Sequence, residues 1–187
     1  MYTIENAYQI VYESLNIFFD EEKDNILSTI SERSLVGQLS YRIKDIIKGN
    51  YPQTPYHVDI EYNRKQEGKI KTIISKNGKE DFEEIKITCD LIVHTRGMKF
   101  DEDNFIAIEM KKSNRPDDEK NKDKYRLIAL TKPKSSDDIW SNDGETHPEH
   151  VCGYLLGVYI EINIQRRNVI IEFYENGVKK SDHVYDL

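Results

Sequence analysis

Apolar positions in the first fifty residues recur every three to four places. Ala7, Val11, Leu15 and Phe18 fall on one face of a helix that Thr3 can cap, and Leu35, Leu39, Ile43, Ile46 and Ile47 form the stripe of a second helix. Ser31 is placed to cap that second helix, and Gly49 followed by Pro52 stops it. Beyond residue 57 the pattern changes to short runs of strand type. Strands are predicted at 58–62 and about 69–75, around a polar turn containing Arg64 and Gly68, with a tight turn at Asn77-Gly78. Further strands are predicted at about 84–94 and 104–111, a helix at about 117–131, and a hairpin from 154–164 and 168–174. Residues 132–148 read as a long loop, and Asp101, Glu102 and Asp103 as a solvated hairpin tip, since they lack the twelve-residue calcium-loop pattern. The expected architecture is α/β, a central mixed β-sheet flanked by helices.

Polar residues interrupt two of the most apolar runs. In Cys89-Asp90-Leu91-Ile92-Val93-His94, the residues Asp90, Ile92 and His94 share one strand face, and in Asn104 to Lys111 the residues Glu109 and Lys111 point together while Ile108 and Met110 point the other way. A carboxylate or an amine beside Phe105, Ile106 and Ile108 costs several kcal/mol to bury unpaired, so these groups require each other, water or a metal ion.

An Asp closing one strand and a Glu-x-Lys on the next resembles the motif of the PD-(D/E)XK nuclease superfamily, with Cys89 standing where the proline is usual. Other segments are similar, in the same order, to a bacterial group within it: Ser31 to Leu39, Val58 to Arg64, Asp123 to Leu127, and Tyr154 to Gly157. The resemblance spans roughly residues 31–164 and implies a restriction-endonuclease-like core. It makes the chain a single nuclease-like domain, with 1–30 as an N-terminal helical extension and 31–175 as the core. It implies a metal-dependent endonuclease that hydrolyses phosphodiester bonds of nucleic acid, DNA before RNA. A magnesium-like ion (Mg2+ or Mn2+) prefers hard oxygen ligands and keeps several waters. Asp90, Glu109 and the Met110 carbonyl are the expected ligands, and Lys111 the group that favours hydroxide and offsets charge on the phosphorane. Glu32, at the start of the second helix, is either a further catalytic carboxylate that reaches the ion directly or through water, or a charge that complements the helix N-terminal dipole. Whether Glu61, Arg64 or His94 joins them stays open, with a hydrogen-bonded structural role preferred for His94.

The remaining composition narrows this picture. A net charge of −7 over 187 residues argues against indiscriminate coating of nucleic acid. Residues 1–30 hold six acidic residues against one basic, whereas residues 107–134 hold nine basic against five acidic, a local strip suited to a phosphate backbone or to a solvated helix. Two cysteines without zinc spacing read as small buried hydrophobes. No run approaches the roughly 20 apolar residues that span a bilayer, and no leader pattern opens the chain, so a cytoplasmic protein without membrane contact is expected. A domain this small gains from dimerising on nucleic acid, so a homodimer is a further expectation. Two other readings of the same residues stay open: an ion-pair network serving stability alone, and a noncatalytic nuclease-fold domain that binds nucleic acid or a protein partner.

Overall fold

In the computed structural model, residues 2–28, 30–61, 72–76, 82–86, 88–98, 103–133, 139–141 and 152–187 are described. Both predicted N-caps form. Helix α1 (Ile4–Leu27) opens on a reciprocal box in which Thr3 accepts from the Asn6 backbone and Asn6 accepts from the Thr3 backbone. Helix α2 (Glu32–Asn50) opens on the Ser31 hydroxyl, which accepts the Ser34 N–H at 3.2 Å, and it ends where Tyr51 N–H reaches Ile47 O. The predicted stripes are the buried ones, except that Ile46 is only half-buried.

The strands are β1 (His57–Ile60), β2 (Thr72–Lys76), β3 (Phe82–Lys86), β4 (Leu91–His94), β5 (Asn104–Lys112), β6 (Ile139–Ser141), β7 (Leu156–Asn163), β8 (Asn168–Glu175) and β9 (Val178–Asp186), with helix α3 (Asp117–Thr131) between β5 and β6. Six strands form one mixed sheet in the order β1-β4-β5-β7-β8-β9. Among the described residues of this sheet only the β5–β7 pair is parallel, so the chain must cross over between them, and α3 lies in that crossover. Strands β3-β2-β6 form a second, antiparallel sheet.

Period-two alternation sends the two faces of the main sheet to different partners. Leu91, Val93, Ile106, Ile108 and Met110 join α1 and α2 in one apolar cluster, which also takes Phe18, Phe19 and Leu39. Ile92 and Ala107 face the other way, into a smaller cluster with Leu127 and Leu130 of α3 and with Tyr159 and Tyr174. The architecture is therefore α/β, with helices on both faces of a mixed sheet, and α1 contributes to the same core as α2. Gly157 on β7 allows α3 to sit close, because a β-carbon there would stand 2.9 Å from Thr131 Cγ2.

Several expectations change. The 84–94 strand is two strands in two sheets, broken where Asp90 turns its side chain to the Met110 N–H and its carbonyl to the Glu61 N–H. The expected loop at 132–148 contains β6. Strand β9 was not anticipated; it follows a turn at Asn176-Gly177, both in the left-handed region, which joins it to β8. On β1, a short edge strand, Ile60 is exposed and Asp59 half-buried, the reverse of what apolar-in alternation along 58–62 would give. Asp103 is buried, accepting from Thr95 Oγ1 and from Gly97 N–H, not solvated at a tip. Asp101, Glu102, Arg64, Gly68 and the Asn77-Gly78 turn lie outside the described residues. No helix among the described residues is long and apolar enough to cross a membrane.

Candidate functional site

The face of β5 that carries Ala107 also carries Glu109 and Lys111, so both are directed toward α3. Asp90, just before β4, reaches the same place across the β4–β5 pair, where its Oδ2 accepts the Met110 N–H at 2.9 Å. From α3 come Asp123 and Arg126. Lys111 Nζ lies 2.8 Å from Asp123 Oδ2, Arg126 Nη1 lies 3.0 Å from Asp123 Oδ1, and the same Nη1 is paired with Glu109 Oε1. The result is a chain of alternating charge, Lys111–Asp123–Arg126–Glu109, with Asp90 beside its anionic end.

Burial decides the electrostatics. The Glu109 side chain is 1% exposed, and its Oε2 accepts no hydrogen bond among the described residues. Burial, reinforced by the neighbouring Asp90 charge, holds the Glu109 carboxyl well above the ordinary carboxylate range despite Arg126. Burial also raises Asp90, more than the Met110 N–H and Lys111 lower it, and a proton on either carboxyl would bridge the pair. For Lys111, burial would depress the amine, but the Asp123 carboxylate outweighs it and leaves the pKa above its ordinary value. The site thus keeps its lysine charged and holds two carboxyls that call for a proton or a cation.

Glu32 stands at the first position of α2, against the end of β5. Its Oε1 accepts the Lys112 N–H at 3.0 Å and Arg115 Nε at 3.1 Å, and its Oε2 lies 3.5 Å from Arg115 Nη2. Burial raises the Glu32 pKa, but Arg115 and the Lys112 N–H more than compensate, so the carboxyl is held below its ordinary value. The structure thus brings Asp90, Glu109 and Lys111 together and places Glu32 one residue beyond Lys111, tied to the main chain.

The other candidates fall elsewhere. Glu61 is exposed, with a positive φ of 48°, and lies 3.3 Å from Arg33. His94 is buried, with Nε2 2.9 Å from Asp59 Oδ2, and Arg96 Nε donates to the same oxygen at 2.7 Å, which is the hydrogen-bonded arrangement expected of it. Both cysteines are buried thiols that form no disulfide, and Cys89 donates to Ile108 O while burial pushes its thiol up.

Asp123 and Arg126 were not singled out as site residues by sequence, because charges three apart on a helix ordinarily read as a solvated face. A signal was present: Asp123, Leu127 and Leu130 fall on one stripe, so Asp123 had to point where the leucines point. Lys120 and Lys124 extend the same polar underside, toward Glu161 at 3.4 Å and Glu172 at 3.0 Å. Among the described residues no group of three or more His, Cys, Asp or Glu side chains is arranged to hold a metal ion. The Asp90 and Glu109 carboxylates are a pair. No protein-family model, curated protein or solved structure matches the chain.

Proposed function

We propose that this chain is a divalent-metal-dependent phosphodiesterase that hydrolyses nucleic acid, DNA before RNA, on a core of the PD-(D/E)XK nuclease kind. The supporting observation is the Asp90–Glu109 pair: a half-buried carboxyl beside a fully buried one, the latter with an oxygen that meets no donor among the described residues, next to an ammonium two residues along the same strand. Two neighbouring carboxylates, one buried and one half-buried, suit a hard cation such as Mg2+ or Mn2+, which takes one or two protein carboxylates and keeps water. Asp90 and Glu109 would hold the ion, with the Met110 carbonyl as the third protein oxygen. When bound, it polarises a phosphoryl oxygen and lowers the pKa of a water.

The chain supplies the rest. Asp123 keeps Lys111 protonated and in place, so its charge offsets the negative charge that builds on the phosphoryl oxygens during attack. Glu32 acts through the backbone, anchoring the peptide that follows Lys111. Arg115 and Lys122 are exposed along the strip at the β5–α3 junction, where a phosphate backbone can be gripped.

The chain of ion pairs favours a second reading, in which these residues stabilise a domain that binds nucleic acid or a protein without turnover. One experiment separates the two. Purified wild type, Glu109→Ala and Lys111→Ala are assayed on single- and double-stranded DNA and RNA with Mg2+, Mn2+ or EDTA. The nuclease reading expects metal-dependent cutting that falls by about 100-fold or more in both variants. It fails if wild type cuts nothing and titration calorimetry finds no metal binding that depends on Glu109.

A further inference from the structure

Arg126 occupies an unusual position for a helix arginine. Its side chain is 17% exposed, and a single nitrogen, Nη1, bridges Glu109 Oε1 and Asp123 Oδ1 across the α3–β5 interface. That is where a cation shared by the two carboxylates would sit. One oxygen of Glu109 is thereby engaged, and the other, Oε2, is the buried atom with no donor among the described residues.

Resting on the nuclease reading, we propose that Arg126 stands in for a second metal ion, so that the site takes a single divalent cation, on the Asp90 side of Glu109. Charge counting gives independent support. Asp90, Glu109 and Asp123 bring three negative charges, Lys111 and Arg126 two positive ones. One divalent ion reverses the sign of the remaining single charge, and the one negative charge of a phosphodiester then leaves the buried assembly neutral. Two ions with Arg126 in place would leave the assembly three charges positive before substrate binds, one more than without the arginine, and would set the second ion on the Glu109 and Asp123 oxygens that Nη1 already holds. Arg126 is in this account a positioning residue: it fixes Glu109 without meeting the phosphate. Asp123 serves both Lys111 and Arg126, so the helix that follows the Glu-x-Lys strand sets the ion count.

The test is ion stoichiometry, read without substrate. The wild-type 187-residue chain, Arg126→Gln and Arg126→Lys are titrated with Mn2+ alone, by calorimetry and by electron paramagnetic resonance of free Mn2+, after circular dichroism has confirmed folding. Wild type is expected to bind one ion and Arg126→Gln two, the second on the vacated Glu109 and Asp123 oxygens. Arg126→Lys, which keeps the charge, is expected to bind one. It replaces the glutamine variant if that protein does not fold, and a second ion in it overturns the proposal. Two ions in wild type, or one ion of unchanged affinity in Arg126→Gln, also overturn it while leaving the nuclease reading intact. Wild type that binds no ion removes both.

Discussion

Replacing Gly157 by alanine tests whether the site depends on how closely α3 rests on the sheet. The added β-carbon would stand 2.9 Å from Thr131 Cγ2, 3.2 Å from Tyr174 Cβ and 3.5 Å from Leu127 Cβ. Carbon atoms rest about 3.5–4.0 Å apart, so the helix must lift by roughly half an ångström or Thr131 must turn. Thr131 is held: its hydroxyl donates to Leu127 O at 2.8 Å and accepts the Gly177 N–H at 3.3 Å, and its branched side chain has few rotamers in a helix. Overpacking of this kind costs about 1–3 kcal/mol. For a chain of this size each kcal/mol lowers Tm by about 2–4 °C, giving an expected fall of roughly 2–12 °C in thermal unfolding followed by circular dichroism. Thr131→Ser removes the offending methyl and keeps the hydroxyl. It should cost about 0.8 kcal/mol alone and yet recover part of the loss in the double variant, a coupling of about 0.5 kcal/mol or more. A lifted α3 also draws Asp123 and Arg126 away from Lys111 and Glu109, so Mn2+ binding should weaken with stability. A Tm within about 1 °C of wild type, or strictly additive variants, would refute the close-approach argument.

Asp90→Asn keeps an acceptor for the Met110 N–H but removes the charge beside Glu109. Because burial raises the Asp90 pKa, its ionised form costs stability above the ordinary carboxyl value. The variant should therefore be about 0.5–2 kcal/mol more stable in urea with EDTA at pH 7 while losing metal binding, and a less stable variant contradicts this. Asp123→Ala removes the ion-pair partner of Lys111 and should cost about 3 kcal/mol, the low end for a broken buried pair because Lys111 keeps some solvent contact. In pH-dependent labelling with acetic anhydride, the Lys111 midpoint should move down in that variant, since Asp123 is what outweighs burial; an unmoved midpoint counts against it. At Asp59, burial raises the pKa, but hydrogen bonds from Arg96 and His94 outweigh it and hold the carboxyl below its ordinary 3.8. The stabilisation, about 1 kcal/mol with a half-exposed Arg96, is then full above that value and lost as pH falls through the lowered one. Urea midpoints of wild type and Asp59→Asn should differ at pH 6 and converge toward pH 3, and a constant gap would show that the charge is not responsible.

Helices α1 and α2 were legible in the sequence down to their caps, because capping and a 3.6-residue stripe are local properties that few neighbouring residues can express. The Asp90, Glu109 and Lys111 trio was legible for a related reason: charges inside apolar strands demand partners, and strand alternation says which of them share a face. Strand β9 was missed although Asn176-Gly177 announced its turn, since its residues are largely exposed and carry no apolar alternation. The split of 84–94 between two sheets was not legible, because a run of strand formers does not say which partner each half will pair with. Pairing is decided by contacts distant in sequence. The same holds for the site's second half. Asp123 and Arg126 are ordinary charged residues of a helix until the β5–α3–β7 crossover, seated on the bare surface of Gly157, sets them against Glu109 and Lys111. Sequence determined which residues need a counter-charge; only the packing of α3 on the sheet decided that the counter-charge is an arginine.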